Sequence, residues 1–254
     1  MRERVLRTIT LLRRDLGEAD RLAVLLSREE GKLAASAKSS RKPGSKLAPL
    51  IEPFVLADCR IIEGRGEIQR LAGGEVVEPF RGIRADIERV ARASLMTEIA
   101  DQGTEPGEAV SRLYSLLLDC LRALSAGEAP HAIELYYLLH STRLLGYGIS
   151  LAQCASCGEE LARGDVALVA ELGGLACDGC YTPQAGRWVG FQSLRAVRGY
   201  RSCRLADALA LPFEGEPLAR WVDGLRAHVR YHMGVSLRSL DVLRSLADGE
   251  ADDG

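Results

Sequence analysis

The sequence predicts an α+β chain of several parts: a β-rich N-terminal module, an α-helical body, and a cysteine-bearing module inserted into that body. Three observations predict it. The first eighty residues read as β-structure, with short apolar runs of period-two alternation separated by glycine turns. After Pro79 the apolar period lengthens to that of helices. Two Cys-x-x-Cys pairs then interrupt the helical pattern between 154 and 180.

The strands come first. DRLAVLLS (20–27) and KLAASAK (32–38) are separated by the turn-capable REEG. In the second run Leu33, Ala35 and Ala37 share one parity, and Lys32, Ser36 and Lys38 share the other. That is the alternation of a half-buried strand with a basic outer face. PFVLADCRII and EIQRL follow, separated by EGRG. Short strands with glycine turns suit a small barrel or a sandwich, and the pattern does not choose between them.

The helices follow. Ile83, Ile87, Val90, Ser94 and Leu95 recur at helical spacing until Asp101-Gln102-Gly103. A second helix is expected from near Pro106, carrying Val110, Leu113, Leu117, Leu121 and Leu124, and stopping at Gly127. A third runs from Pro130 to Gly146, with proline at the start and glycine past the end. Helical patterning resumes near Phe191 and continues through RWVDGLRAHVRYHMG and SLRSLDVLRSL. The tail ADGEADDG is acidic and small, which predicts disorder. The expected domains are therefore 1–80, a helical domain of 81–152 and 184–248, an insertion of 153–183, and a disordered tail of 249–254.

In the insertion, Cys154 and Cys157 form one pair and Cys177 and Cys180 the other, with nineteen residues between the pairs. A two-residue gap lets both thiolates of a pair reach one ion from a tight turn, and the spacer is long enough for a hairpin that stacks the turns. The spacing predicts one structural Zn²⁺ held by four cysteines. Four thiolates close the coordination shell and no histidine lies within the insertion, so the motif reads as a staple rather than a catalytic centre. Cys59, Cys120 and Cys203 are scattered among apolar residues and read as core. An odd cysteine count, no run of about eighteen apolar residues and no signal-peptide pattern in MRERVLRTITLLRRD point to a cytoplasmic protein without a membrane segment.

Charge is distributed unevenly. The net formal charge is −2, yet residues 1–80 hold fifteen basic and twelve acidic residues. From Gly31 to Ile51 the cations Lys32, Lys38, Arg41, Lys42 and Lys46 stand with no acidic residue among them. Serine, proline and glycine make the middle of this stretch read as a flexible loop. A cationic loop beside a basic strand face can grip a phosphate backbone without reading bases; the alternative is an ordinary solvated loop. A second acid-free stretch, Gly179–Ala206, contains Arg187, Arg195, Arg198, Arg201 and Arg204. Arg195 and Arg198 would share a helix face there, as a second DNA contact or as arginines lying along the helix surface.

Catalytic patterns are missing. There is no GxxxxGK[ST], no GxSxG and no cluster of spaced aspartates. His228 and His232 have two-histidine metal spacing, but HExxH is absent and no third ligand is nearby. A zinc-dependent hydrolase or nuclease has no residues to stand on; a pure protein scaffold remains the rival to a DNA-binding protein.

The stretches DLGEADRLAVLLSREEGKLAASAKSSRKPGSKLAPLIEPF (15–54), EVVEPFRGIRADIERVARASLMTEI (75–99), LLGYGISLAQCASCG (144–158) and YHMGVSLRSLDVLRSL (231–246) together resemble the bacterial RecO family. The resemblance implies an N-terminal OB-fold barrel, a helical domain and a zinc-binding insertion. It implies no enzymatic activity. It also implies binding of single- and double-stranded DNA, annealing of complementary strands, and contact with the C-terminal tail of single-strand-binding protein. With RecR, such proteins help load RecA during repair, a role exercised in the cytoplasm in association with the nucleoid. Mapped onto this sequence, Lys32, Lys38, Arg41, Lys42 and Lys46 become the expected DNA contacts. The acidic, apolar-ended tail needs a cation beside a helical groove, for which Arg143 near Tyr136, Tyr137 and His140 is the expected setting.

Overall fold

A computed structural model describes residues 3–64, 66–180, 187–234 and 236–252. It divides into two compact units, Met1–Ser125 and Ala126–Gly254.

The first unit is built on five strands: β1 (Glu3–Leu16), β2 (Asp20–Ser27), β3 (Gly31–Ala37), β4 (Leu56–Ile62) and β5 (Ile68–Glu78). They close into a barrel in the order β1-β2-β3-β5-β4, with β4 returning to β1. All pairs are antiparallel except β3 with β5, where Ser36 pairs with Arg70. Closure leaves no open edge, so the apolar parities of all five strands meet inside. Ala23 and Leu25, Leu33 and Ala35, Ala57 and Cys59, and Leu71 form that core, and a short 3₁₀ turn at Ala48–Ile51 adds Leu50 and Ile51. Barrel, not sandwich, is the outcome. Strand β1 lies within the first eighty residues expected to be β-structure but does not stand out as a run, because interleaved arginines mask the alternation of Val5, Thr8, Ile9 and Thr10, which favour extended backbone. Phe54 and Phe80 are buried, as their apolar surroundings predict.

Three helices complete this unit: α1 (Arg81–Arg84), α2 (Ile87–Gln102) and α3 (Ser111–Ala126). The chain breaks at Asp86, whose carboxylate accepts the Arg89 N–H at 3.0 Å and caps α2. The third helix begins at Ser111 rather than near Pro106, because the intervening segment is held on β3. Pro106 bridges Lys32, and Gly107 N–H donates to the Lys32 carbonyl at 3.0 Å. Gly31 makes room for this: its φ is +67°, and a Cβ there would lie 1.7 Å from the Glu108 carbonyl oxygen.

The second unit begins with α4 (Pro130–Leu144), followed by a small sheet of β6 (Val166–Val169), β7 (Gly174–Cys177) and β8 (Arg187–Trp188), in the order β7-β6-β8. Four helices follow: α5 (Phe191–Ser202), α6 (Leu205–Leu209), α7 (Gly215–Met233) and α8 (Arg238–Asp252). Helix α7 packs on α4 and on β6, where a Cβ at Gly224 would lie 2.6 Å from Leu168 Cδ2. The Trp221 indole N–H reaches Ser193 Oγ at 2.9 Å. The expected tail at 249–254 is helical through Asp252, since elongating a formed helix costs far less than nucleating one. Residues 253–254, and the expected boundary at 183/184, lie outside the described residues. Among the described residues, no helix is long and apolar enough to cross a membrane.

Candidate metal centre and nucleic-acid interface

The spacer between the cysteine pairs folds as the β6–β7 hairpin, with Val166 opposite Cys177 and Val169 opposite Gly174. This returns the second pair onto the first. Ala155 N–H donates to the Leu175 carbonyl at 2.7 Å, tying the first turn to β7. Each turn closes on itself, Gly158 N–H to the Cys154 carbonyl and Cys180 N–H to the Cys177 carbonyl, both at 3.0 Å. Gly158 sits at φ +78°, a conformation its missing side chain makes easy.

The four Sγ atoms consequently lie within 4.8 Å of one another, and Cys157 Sγ is 3.9 Å from Cys177 Sγ. A tetrahedral ion with metal–sulfur bonds of about 2.3 Å needs sulfurs about 3.8 Å apart, so the set fits one metal ion. Cys154 is buried, which opposes its ionisation. Backbone N–H groups of Cys157, Cys177 and Ser156 directed at its sulfur more than offset this, bringing its pKa down to about 6. Cys157 and Cys177 are shifted the other way, up, chiefly by hydrogen bonding among the sulfurs and by burial, so Cys154 is the thiolate the turns favour. No open ligand position is provided by a histidine or carboxylate in the cluster, which consists of these four cysteines among the described residues.

The basic stretch after β3 is hydrogen-bonded back to the β1–β2 turn. Ser39 N–H donates to Asp20 Oδ1 at 2.7 Å, and Arg41 N–H to the Ala19 carbonyl at 3.0 Å. Lys42 and Ser45 N–H groups continue the turns. Lys38, Arg41, Lys42 and Lys46 are all exposed. Arg41 is partly engaged, with Nη1 3.0 Å from the Gly17 carbonyl and 3.3 Å from Asp15 Oδ2. Lys38, Lys42 and Lys46 have no ion-pair partner among the described residues.

Lys32 is separated from this group. Its ammonium contacts the Asp101 carbonyl at 2.5 Å and Asp101 Oδ1 at 3.4 Å, and its side chain is only 16% exposed. Residues 106–108 lie over its strand, so the Gly31-Lys32 turn is packed against protein. In its place the barrel supplies two exposed arginines the sequence reading passed over. Arg14 pairs with Leu22, Leu22 with Ser36, and Ser36 with Arg70, a transverse row on the outer surface beside Lys38. Only the parallel closure of β3 on β5 brings Arg70 there.

The comparisons with known proteins agree with this architecture. Residues 1–80 match the family model "Recombination protein O N terminal", and residues 84–241 match "Recombination protein O C terminal". The chain belongs to the RecO family. Curated relatives named DNA repair protein RecO include one from a Synechococcus strain, 30% identical over 91% of this chain and 85% of that protein. Another, from Myxococcus xanthus, is 32% identical over 90% of this chain and 92% of its own length. A Nocardioides relative is 36% identical over 69% and 73%.

In this RecO-family chain the second arginine group has mainly architectural contacts. Arg195 is exposed, but Arg198 gives Nε and Nη2 to the Leu151 carbonyl at 3.0 and 2.7 Å and Nη2 to the Leu161 carbonyl at 2.9 Å. Arg201 Nη1 holds the Ile149 carbonyl at 2.7 Å. These arginines fasten α5 to the segment entering the cysteine turns. The Arg187 side chain lies outside the described residues. Of the expected partner-binding residues, Arg143 is exposed, whereas Tyr136 donates to the Cys203 carbonyl and His140 Nε2 meets the Tyr200 carbonyl, both at 3.3 Å. Tyr137 is core. His228 and His232 turn their Nε2 atoms to the Tyr147 and Ala170 carbonyls at 2.7 and 2.8 Å, serving as donors rather than a metal face. Cys59 and Cys120 are fully buried; Cys203 is only half-buried, at the end of α5.

Proposed function

We propose that this chain is a recombination mediator that binds single- and double-stranded DNA through the first unit and anneals complementary strands. With RecR it would help load RecA onto DNA coated by single-strand-binding protein, without catalysing a covalent step. The observation that supports this reading is the group of unpaired, exposed Lys38, Lys42 and Lys46 on a hydrogen-bonded loop, flanked by Arg14 and Arg70. Fixed cations neutralise phosphates at little ordering cost and read no sequence. Both phenylalanines of the barrel unit are buried, so they offer no stacking platform worth the ~1–3 kcal/mol per base that tight single-strand binders use. Binding is then chiefly electrostatic and reversible, which suits bringing two strands together and releasing the duplex.

The metal is proposed to be Zn²⁺, held by Cys154, Cys157, Cys177 and Cys180. When bound it supplies folding free energy and no chemistry, since four thiolates saturate it. Arg143 is proposed as the cation for the tail of single-strand-binding protein. Arg195 is proposed as a peripheral DNA contact, with Arg198 placed to support it. Annealing of two labelled complementary oligonucleotides tests the central reading. Wild type should anneal and the folded K38A/K42A/K46A variant should not; absence of DNA binding by wild type would leave a zinc-stapled scaffold as the better account.

A further inference from the structure

A cluster of aromatic rings lies on the surface of the second unit, where the end of α7 meets the loop after α4 and the 3₁₀ turn at Ala170–Leu172. Tyr231 is 55% exposed, Tyr147 37%, and Leu172 beside them 47%. The rings of Tyr147 and His232 are 26° from parallel with centroids 6.1 Å apart, and Tyr231 meets the His232 ring edge-on at 5.1 Å. The histidine pair with metal-like spacing is what holds these rings. His228 Nε2 donates to the Tyr147 carbonyl at 2.7 Å, and His232 Nε2 to the Ala170 carbonyl at 2.8 Å. The 3₁₀ turn passes close to the imidazole, since a Cβ at Gly173 would lie 3.5 Å from His232 Cε1. Rings held from three chain segments lose little freedom when a ligand lands on them.

The charges around the cluster suit a polyanion. Arg230 precedes Tyr231 on α7, is exposed, and has no ion-pair partner among the described residues. Arg143 is exposed and unpaired in the same sense. The loop carrying Tyr147 folds back over it: Tyr147 N–H donates to the Thr142 carbonyl at 2.7 Å, and a Cβ at Gly148 would lie 3.0 Å from Arg143 Cα. Glu171, exposed next to Leu172, carries the opposing charge, which favours phosphates on the arginine side and a neutral group on the rings. A flat ring needs no pocket to receive a base, and every base has a π-face, so such a surface is indifferent to sequence. Residues 1–80 offer cations with both phenylalanines buried, whereas this cluster joins exposed rings to cations. Arg143 is also the cation proposed above for an acidic tail, which would compete with a strand here.

We infer that this cluster is a stacking platform for the unpaired bases of a single nucleic-acid strand, with bases on Tyr231 and Tyr147 and the backbone on Arg230 and Arg143. The inference rests on the DNA-binding reading above. It adds a contact that single strands make and duplexes, whose bases are already stacked inside, do not.

The test measures binding of the full chain to a thymidine 12-mer and to an abasic 12-mer carrying the same phosphates. Wild type should bind the thymidine strand about tenfold more tightly. Tyr231→Ala should remove most of that preference, leave the abasic and duplex affinities unchanged, and leave the salt dependence as it is. Tyr231→Phe should keep the preference; the side chain is exposed, so both variants keep the fold. Equal affinity of wild type for the two strands overturns the platform while leaving DNA binding intact, whereas failure to bind either removes both. A preference that survives Tyr231→Ala combined with Tyr147→Ala places the base contacts elsewhere and also overturns it. So does Tyr231-dependent binding of an acidic, apolar-ended peptide by a chain that shows no preference between the strands.

Discussion

Lys32 on β3 and Asp101 at the end of α2 form a half-buried pair, 3.4 Å from ammonium to carboxylate oxygen, with the Asp101 carbonyl taking a further hydrogen bond. The pair fixes a helix end to the barrel strand from which the basic loop departs. A lysine that reads as a nucleic-acid contact in the sequence is thus committed to the fold. Replacing it by alanine should destabilise the protein by about 1–3 kcal/mol, because Asp101 loses its partner in a poorly solvated place. The same variant, once folded, should lose less DNA affinity than Lys38→Ala; denaturant melts and binding isotherms measure the two effects separately.

A deeper pair holds the second unit. Glu134 on α4 is fully buried and takes Arg226 of α7 in a bidentate contact at 2.6 and 2.7 Å. Removing one partner of such a pair leaves an uncompensated charge, so Arg226→Ala should cost about 3–5 kcal/mol in a denaturant melt. Replacing both, as in E134Q with R226M, should recover most of that loss.

Metal removal should act on stability rather than on DNA contacts. Elemental analysis should find about one zinc per chain. Stripping it with a chelator, or substituting Cys154→Ser with Cys177→Ser, should lower the thermal midpoint. The salt dependence of DNA binding by the folded protein should stay as it was. A DNA-binding defect in a variant that keeps its fold would assign the centre a direct role.

Two histidines give the protein a pH dependence. Burial pushes His228 below the usual imidazole value; the Tyr147 carbonyl partly opposes this, and neighbouring His232 adds to it. His140 is lowered in the same way by burial, against its bond to the Tyr200 carbonyl, with Arg143 and Arg201 adding to the fall. Below about pH 6.5 the unfolded chain takes up protons that these folded sites resist. Their contribution to stability is complete above that pH and is lost as the pH falls toward and through the lowered values. Thermal midpoints between pH 7.5 and 5.5 should decline, and less steeply in His228→Asn.

Much of the fold and of the candidate site was legible because local patterns coincide with local causes. The alternation of Leu33, Ala35 and Ala37 matches their burial, and the Cys-x-x-Cys spacing matches a hairpin that brings four sulfurs together. What was not legible depends on distant partners. Nothing near Lys32 announces Asp101, and nothing near Arg198 announces the carbonyls of Leu151 and Leu161. Arg70 becomes a neighbour of the basic loop only through the parallel pairing of β5 with β3.

The most direct test of the account is the salt dependence of single-strand affinity in wild type and in K38A/K42A/K46A. Each phosphate neutralised contributes about 0.7 to the slope of log affinity against log salt on single strands, so the three substitutions should make the slope shallower by about 2. An unchanged slope in the folded variant would place the DNA contacts elsewhere and contradict the interface described for the basic loop.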